Sequence, residues 1–107
     1  MTEEVFNMDR LEGMKEGLHK ARSGLIRALV KVEEGRITDI IISGDFILTP
    51  EHYIDEMEKS LLGVDANKEV ILEALKKFYV DNGEEFKSPE THPEDFTEAI
   101  MKALEGE

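Results

Sequence analysis

Between residues 25 and 43 apolar and polar positions alternate, with β-branched side chains crowded on either side of Glu33-Glu34-Gly35-Arg36. This pattern predicts a β-hairpin of strands 25–33 and 36–43, closed by a two-residue Glu34-Gly35 loop with Glu33 facing Arg36. In that register one face carries Ile26, Ala28, Val30, Val32, Ile37 and Ile41, interrupted by Asp39 and Ser43, and forms the candidate core face. The other face carries Leu25, Leu29, Ile40 and Ile42 beside Arg27, Lys31, Glu33, Arg36 and Thr38. It is too apolar for a solvated surface and too charged for a core, which makes it a candidate interface. A one-residue bulge at Gly35 would exchange the faces of one strand relative to the other.

Residues 14–21 have no helical cap and run into Arg22-Ser23-Gly24, a turn able to fold them back as a third antiparallel strand, although their alternation is weak. Downstream the period changes to that of a helix. Thr49 can cap a helix whose first residue is Pro50, where a missing N–H costs nothing, with Tyr53 or Ile54, Met57, Leu61 and Leu62 on one face and Gly63 as its stop. Asp65 or Asn67 can cap a second helix, in which Val70, Ile71, Ala74, Leu75 and Phe78 make one stripe before Asp81-Asn82-Gly83. Thr91-His92-Pro93-Glu94 fits a capping box for a third, with Phe96, Ile100, Ala103 and Leu104 as its apolar stripe. At the N-terminus, Val5, Met8 and Leu11 or Glu12 make one short helical stripe that Gly13 ends, so residues 1–13 read as a frayed helix or a tail. The expected fold is α+β, a small antiparallel sheet of about three strands followed by three helices packed on one face. One domain is expected over residues 1–107, with its core in about 14–105.

Composition narrows the function classes. A chain of 107 residues with 40% hydrophobic and 36% charged positions has enough Val, Ile, Leu and Phe to order itself. Its 25 acidic and 13 basic residues give a formal charge of -12, which repels nucleic acid and anionic membrane and steers in a basic partner. The first residues, MTEEVFNMDR, lack a positive region followed by an apolar core, and no apolar run approaches bilayer length, so a soluble cytoplasmic protein is expected. The absence of cysteine fits a reducing compartment and removes thiol catalysis, thiolate metal sites and disulfides from consideration.

No residue is assigned to catalysis, cofactor binding or metal ligation. His19, His52 and His92 lack the spacing of a metal motif. His52, four residues before Glu56 and near Asp45 around a corner, is the pairing worth weighing, and in so acidic a chain a neighbouring carboxylate arises by chance. The carboxylate pairs Glu3-Glu4, Glu33-Glu34, Glu84-Glu85 and Glu94-Asp95 fall in turns, tails or helix starts, where solvation keeps them ordinary. Ser23, Ser43, Ser60 and Ser88 sit in no nucleophile elbow, and neither Ser43-Gly44-Asp45 nor Arg22-Ser23-Gly24 opens a helix as a phosphate loop does. Gly44-Asp45-Phe46 stands apart, because a glycine at the end of a buried strand marks a left-handed corner or the close approach of another backbone. In the structural reading Asp45 accepts local backbone N–H groups while Phe46 plugs the sheet against the Pro50 helix; in the functional one Asp45 is placed where a partner can reach it.

The order from Glu34 to Gly63 resembles the C-terminal accessory domain of lipoate-protein ligases. There a strand (here Ile37, Ile40, Ile42) runs into Gly-Asp-Phe (Gly44, Asp45, Phe46), and a proline-headed helix (Pro50, Ile54, Met57, Leu61) ends in Leu-x-Gly at Gly63. Gly24-Leu25-Ile26-Arg27 and Glu34-Gly35-Arg36-Ile37 also match, and the resemblance covers roughly residues 18–104. It departs from the family's commonest pattern at Ile47, where a second aromatic is often found, and has no counterpart for residues 1–13.

The resemblance implies a noncatalytic accessory subunit that docks, as a heterodimer, on a separate catalytic ligase chain and supports lipoate adenylation. ATP, Mg and lipoate are then bound by that partner, with lipoyl-acceptor proteins as indirect partners and no cofactor on this chain alone. It also implies a fold like the iron-sulfur scaffold and sulfur-acceptor proteins, whose cysteine chemistry this chain lacks. The docking corner it implies is Gly44, Asp45 and Phe46, with Arg27, Leu29, Ile40 and Ile42 contributing from the sheet. Two other readings compete: a standalone acidic protein-binding module using the same sheet face, and a small metalloenzyme built on His52 and Asp45.

Overall fold

A computed structural model describes residues 12–105, and the expected helical stripe within residues 1–11 lies outside them. Strands β1 (Lys15–Ala21), β2 (Gly24–Glu33) and β3 (Arg36–Gly44) form one antiparallel sheet in the order β1-β2-β3. Helices α1 (Tyr53–Ser60), α2 (Lys68–Asn82) and α3 (Pro93–Glu105) follow. The α+β arrangement expected from the sequence is the one observed. The Glu34-Gly35 loop has both residues at positive φ, 55° and 79°, the geometry that matches the right-handed twist of the flanking strands.

Residues 14–21 do form the third strand, paired with β2 from Lys15↔Val30 to Ala21↔Gly24. Their weak alternation has a physical cause. Gly17 faces inward, and a Cβ built there would lie 2.1 Å from the Ala99 carbonyl oxygen and 2.3 Å from the Ala103 nitrogen. Strand β1 and helix α3 therefore touch backbone to backbone, with Ala99 and Ala103, both buried, keeping the approach open. The core lies between the sheet and the helices, where Ile26, Ala28, Val30, Ile37, Ile40 and Ile42 meet Met57, Leu61, Ile71, Leu75, Phe96 and Ile100. Each large aliphatic so buried contributes roughly 1.5–3 kcal/mol.

The hairpin register departs from the simple one. Val32 faces Ile37 but Lys31 faces Asp39, so Thr38 is an extra residue and β3 changes face at that point. The bulge sits at Thr38 instead of Gly35, and its consequence corrects the expected interface: Ile40 and Ile42 are buried in the core, while Ile41 turns outward with Leu29. The reason is energetic. A continuous register would set Asp39 and Ser43 opposite Val30 and Ile26 in the core, and an unpaired buried carboxylate costs far more than a local bulge.

The bulge leaves strand-edge N–H groups to be satisfied by side chains. The Ile40 N–H donates to Asp39 Oδ1 at 2.9 Å and the Ile42 N–H to Glu58 Oε2 of α1 at 2.8 Å. Before the bulge, the Ile37 N–H donates to the Val64 carbonyl and the Gly63 N–H to the Ile37 carbonyl, so the segment after α1 covers that edge. This register yields a direct test. Ile40→Ala is expected to cost about 3 kcal/mol in urea unfolding and Ile41→Ala less than about 1, whereas the continuous register demands the reverse order.

Helix starts also differ in detail. Thr49 does not cap α1; it pairs with Lys87 through two backbone bonds of 3.0 and 2.9 Å, Pro50 to His52 form a tight turn, and the helix begins at Tyr53. Asn67 caps α2, its side-chain oxygen accepting from the Glu69 and Val70 N–H groups. At α3 the reciprocal bond comes from Asp95, which accepts the His92 N–H at 2.9 Å, and Thr91 is spent elsewhere.

Candidate functional site

Gly44 ends β3 opposite Ile26 with φ +147°, a conformation glycine tolerates, and a Cβ there would lie 2.1 Å from the Leu25 carbonyl oxygen. The close approach of another backbone is therefore the one made by its own neighbour β2. The chain then turns, held by the Asp45 N–H donating to the Leu25 carbonyl at 2.8 Å. The Asp45 side chain is exposed and, among the described residues, accepts no hydrogen bond, unlike the local acceptor role weighed for it. Phe46 is half-buried and meets Phe96 of α3 edge-on, with centroids 5.2 Å apart and rings at 89°, so it packs the corner against α3, and it lines one depression together with Ile54 of α1. Ile47, where the family often carries an aromatic, is 61% exposed.

The corner is braced from behind. The Ser23 hydroxyl, in the β1–β2 turn, hydrogen-bonds the fully buried Thr91 hydroxyl, and Ser88 Oγ and Tyr79 Oη both donate to the Thr91 carbonyl at 2.7 and 3.1 Å. Burial pushes the Tyr79 hydroxyl up to about 12, so it stays a donor at neutral pH. His19 Nε2 lies 3.1 Å from Asp95 Oδ1 and ties the inner face of β1 to the start of α3. His52 packs on Tyr53 with ring centroids 4.5 Å apart. Among the described residues no three of His, Asp and Glu gather at metal-binding range.

An open depression of about 510 Å³ beside the corner is walled by Ile42, Gly44, Phe46, Ile47 and Leu48, with Glu51 its one carboxylate. Such walls suit an inserted apolar side chain more than acid–base chemistry. Another of about 700 Å³ lies between the hairpin tip and Leu62-Gly63.

Of the residues expected at an interface, Arg27, Leu29 and Asp45 remain on the surface, Gly44 and Phe46 shape the corner, and Ile40 and Ile42 are buried in the core instead of lying on the outer sheet face, Ile42 reaching the wall of the depression. The outer face of the sheet carries Glu16, Leu18 and Lys20 from β1, Leu25, Arg27, Leu29 and Lys31 from β2, and Asp39, Ile41 and Ser43 from β3. Arg27 Nε donates to Glu16 Oε2 at 2.6 Å across this face. Leu18 and Ile41 were not expected there. The signal for Leu18 is its place one residue after inward-facing Gly17, legible once Gly17 is read as a close approach.

Residues 15–100 match the family described as the bacterial lipoate protein ligase C-terminus. Lipoate-protein ligase A subunit 2 of Thermoplasma acidophilum is 38% identical over 81 residues, which span 76% of this chain and 81% of that one. A solved structure of an archaeal lipoylation system from the same organism, a bi-partite lipoate protein ligase and its E2 lipoyl domain, contains a chain that superposes with a TM-score of 0.71. That chain is 37% identical, and the overlap covers 81% of the present chain and 93% of that one.

Proposed function

The chain belongs to the family of lipoate-protein ligase C-terminal domains, and on that premise we propose that it is the accessory subunit of a two-chain ligase, supporting lipoate adenylation by a separate catalytic chain. The observation that carries this reading is the extent of the match. It runs from the first residue of β1 well into α3, and a relative of which it covers 81% is itself called subunit 2 of such an enzyme. The chemistry of the side chains points the same way. The hydroxyls of Ser23, Ser60 and Ser88 are spent on Thr91, on the Met57 carbonyl and on Tyr79 with Thr91, which suits scaffolding and leaves them without a base.

In this proposal ATP, Mg and lipoate sit on the catalytic chain, the two chains form a heterodimer, and lipoyl-acceptor proteins are reached through it. Docking uses the Asp45 corner, which Gly44 and Phe46 hold in shape, together with Arg27 and Leu29 of the outer sheet face. We also read the sheet and helices as related to the iron-sulfur scaffold fold, with its cysteine chemistry missing. The test is lipoate-dependent ATP–pyrophosphate exchange by the catalytic chain with and without this protein. Addition is expected to raise the rate about tenfold or more, equivalent to about 1.4 kcal/mol of barrier. Equal rates would overturn the proposal.

A further inference from the structure

Ile47 is 61% exposed between two apolar neighbours that are not, half-buried Phe46 and buried Leu48. All three line the depression of about 510 Å³ beside the corner, together with Ile42 and Ile54. Its walls are fixed on three sides. Phe46 is seated on Phe96, Thr49 is paired with Lys87 through two backbone bonds, and Glu58 of α1 accepts the Ile42 N–H. A recess held open in this way accepts an apolar side chain without first rearranging, as the pockets that receive interface anchors do.

The charge around this recess is one-sided. Every lining residue falls within the run from Ile37 to Glu58, which holds six acidic residues and no lysine or arginine. Glu51 is the charged residue of the wall, and exposed Asp45 stands between the lining residues Gly44 and Phe46. Adjoining segments bring four cations. Arg27, across from Ser43, is tied to Glu16, and Lys59, next along α1, lies 4.0 Å from Glu56. Lys87, across from Thr49, follows Glu84 and Glu85, and Arg22 belongs to the β1–β2 turn. With Glu16, Glu84 and Glu85 included, nine carboxylates stand against these four cations, so the local field attracts a cation.

We propose that this depression receives an apolar side chain of the catalytic ligase chain, flanked there by lysine or arginine. The proposal rests on the accessory-subunit reading and adds the recess and the chemistry of its counterpart. The apolar group fills the space between Phe46, Ile47 and Ile54, and the flanking cations meet Glu51 and Asp45 at the rim, an apolar centre with a charge-matched border. Charge also decides between occupants. A second copy brings the same acidic run and sets one formal charge of -12 against another. Residues 1–11 of this chain carry three acidic residues and one basic, and match the rim no better.

The lack of native cysteine allows single-thiol variants of the full chain, Ile47→Cys in the recess and, as a reference in α2, Val80→Cys, where the residue is 81% exposed. Maleimide labelling of Ile47→Cys is expected to slow about tenfold or more once the catalytic chain saturates it, with Val80→Cys unchanged. Glu51→Lys is expected to weaken binding of the catalytic chain about tenfold at low salt and less than about threefold at about 0.5 M salt, while Glu73→Lys on α2 stays within about twofold. Both glutamates are exposed, so neither change removes a buried contact. If the complex forms by gel filtration and Ile47→Cys labels at its free rate, the proposal fails while the accessory reading stands. Equal weakening by Glu51→Lys and Glu73→Lys overturns the basic counterpart in the same way. If no complex forms with the wild-type chain, both fail. Slowing that grows with the concentration of this chain alone assigns the recess to a second copy, and slowing in the isolated chain that deletion of residues 1–11 relieves assigns it to that segment. Either outcome overturns the proposal.

Discussion

Gly17→Ala is expected to lower the unfolding free energy by about 3 kcal/mol or more, enough to bring the melting temperature down by about 15 °C. The added methyl would stand 2.1 Å from the Ala99 carbonyl oxygen, 2.3 Å from the Ala103 nitrogen and 2.9 Å from the Ala103 Cα, all backbone atoms of α3. None of these can rotate aside as a side-chain tip does. The helix must retreat from β1, and with it Phe96 and Ile100, both fully buried, lose part of their packing. Thermal and urea unfolding of the variant measure this directly. A loss below about 1 kcal/mol would show that the sheet and α3 are less tightly apposed than described.

Gly44→Ala is expected to cost a comparable amount, about 3 kcal/mol, for two combined reasons. Its φ of +147° disfavours any side chain, and its Cβ would lie 2.1 Å from the Leu25 carbonyl oxygen, the same oxygen that accepts the Asp45 N–H. The substitution thus strains the backbone and displaces the bond that sets the corner. Gly63→Ala separates the two causes, because Gly63 has φ +83° with nothing within 4 Å of a built Cβ. It should cost only about 1 kcal/mol, the conformational part alone. Equal losses in the two variants would mean that φ accounts for the whole effect and that the close approach to Leu25 has no energetic weight. In the ligase exchange assay Gly44→Ala is expected to lose stimulation only where it loses folding, because the added methyl meets the Leu25 carbonyl oxygen of β2.

Much of this was readable from residue order because the relevant forces are local. Glu34-Gly35 closes the hairpin through the backbone freedom of its own two residues, and Asn67 caps α2 with its own side chain. The stripes Ile71, Leu75, Phe78 and Phe96, Ile100, Ala103 are buried as helical spacing requires. The misreadings share another cause. Ile40 and Ile42 exchange places with Ile41 across one extra residue at Thr38, and the run from Ile37 to Ser43 satisfies alternation in either register. Thr49 and Thr91 look like helix caps in isolation, yet one pairs with Lys87 and the other with Ser23, residues 38 and 68 positions away. No local pattern reports a competitor that distant.

The candidate site divides along the same line. Residue order alone determined that a glycine, an acid and an aromatic stand at the end of a strand, and that the chain is acidic, without cysteine and like the ligase accessory domains. Only tertiary packing decided which isoleucines face the core, because the choice depends on α1 presenting Glu58 to the Ile42 N–H and on the cost of burying Asp39. Only tertiary packing decided, too, that Phe46 leans on Phe96, and that Leu18, Leu25, Leu29 and Ile41 remain together on the outside. An exposed apolar face is defined by what fails to cover it, and that is a property of the assembled layers, which no single segment carries.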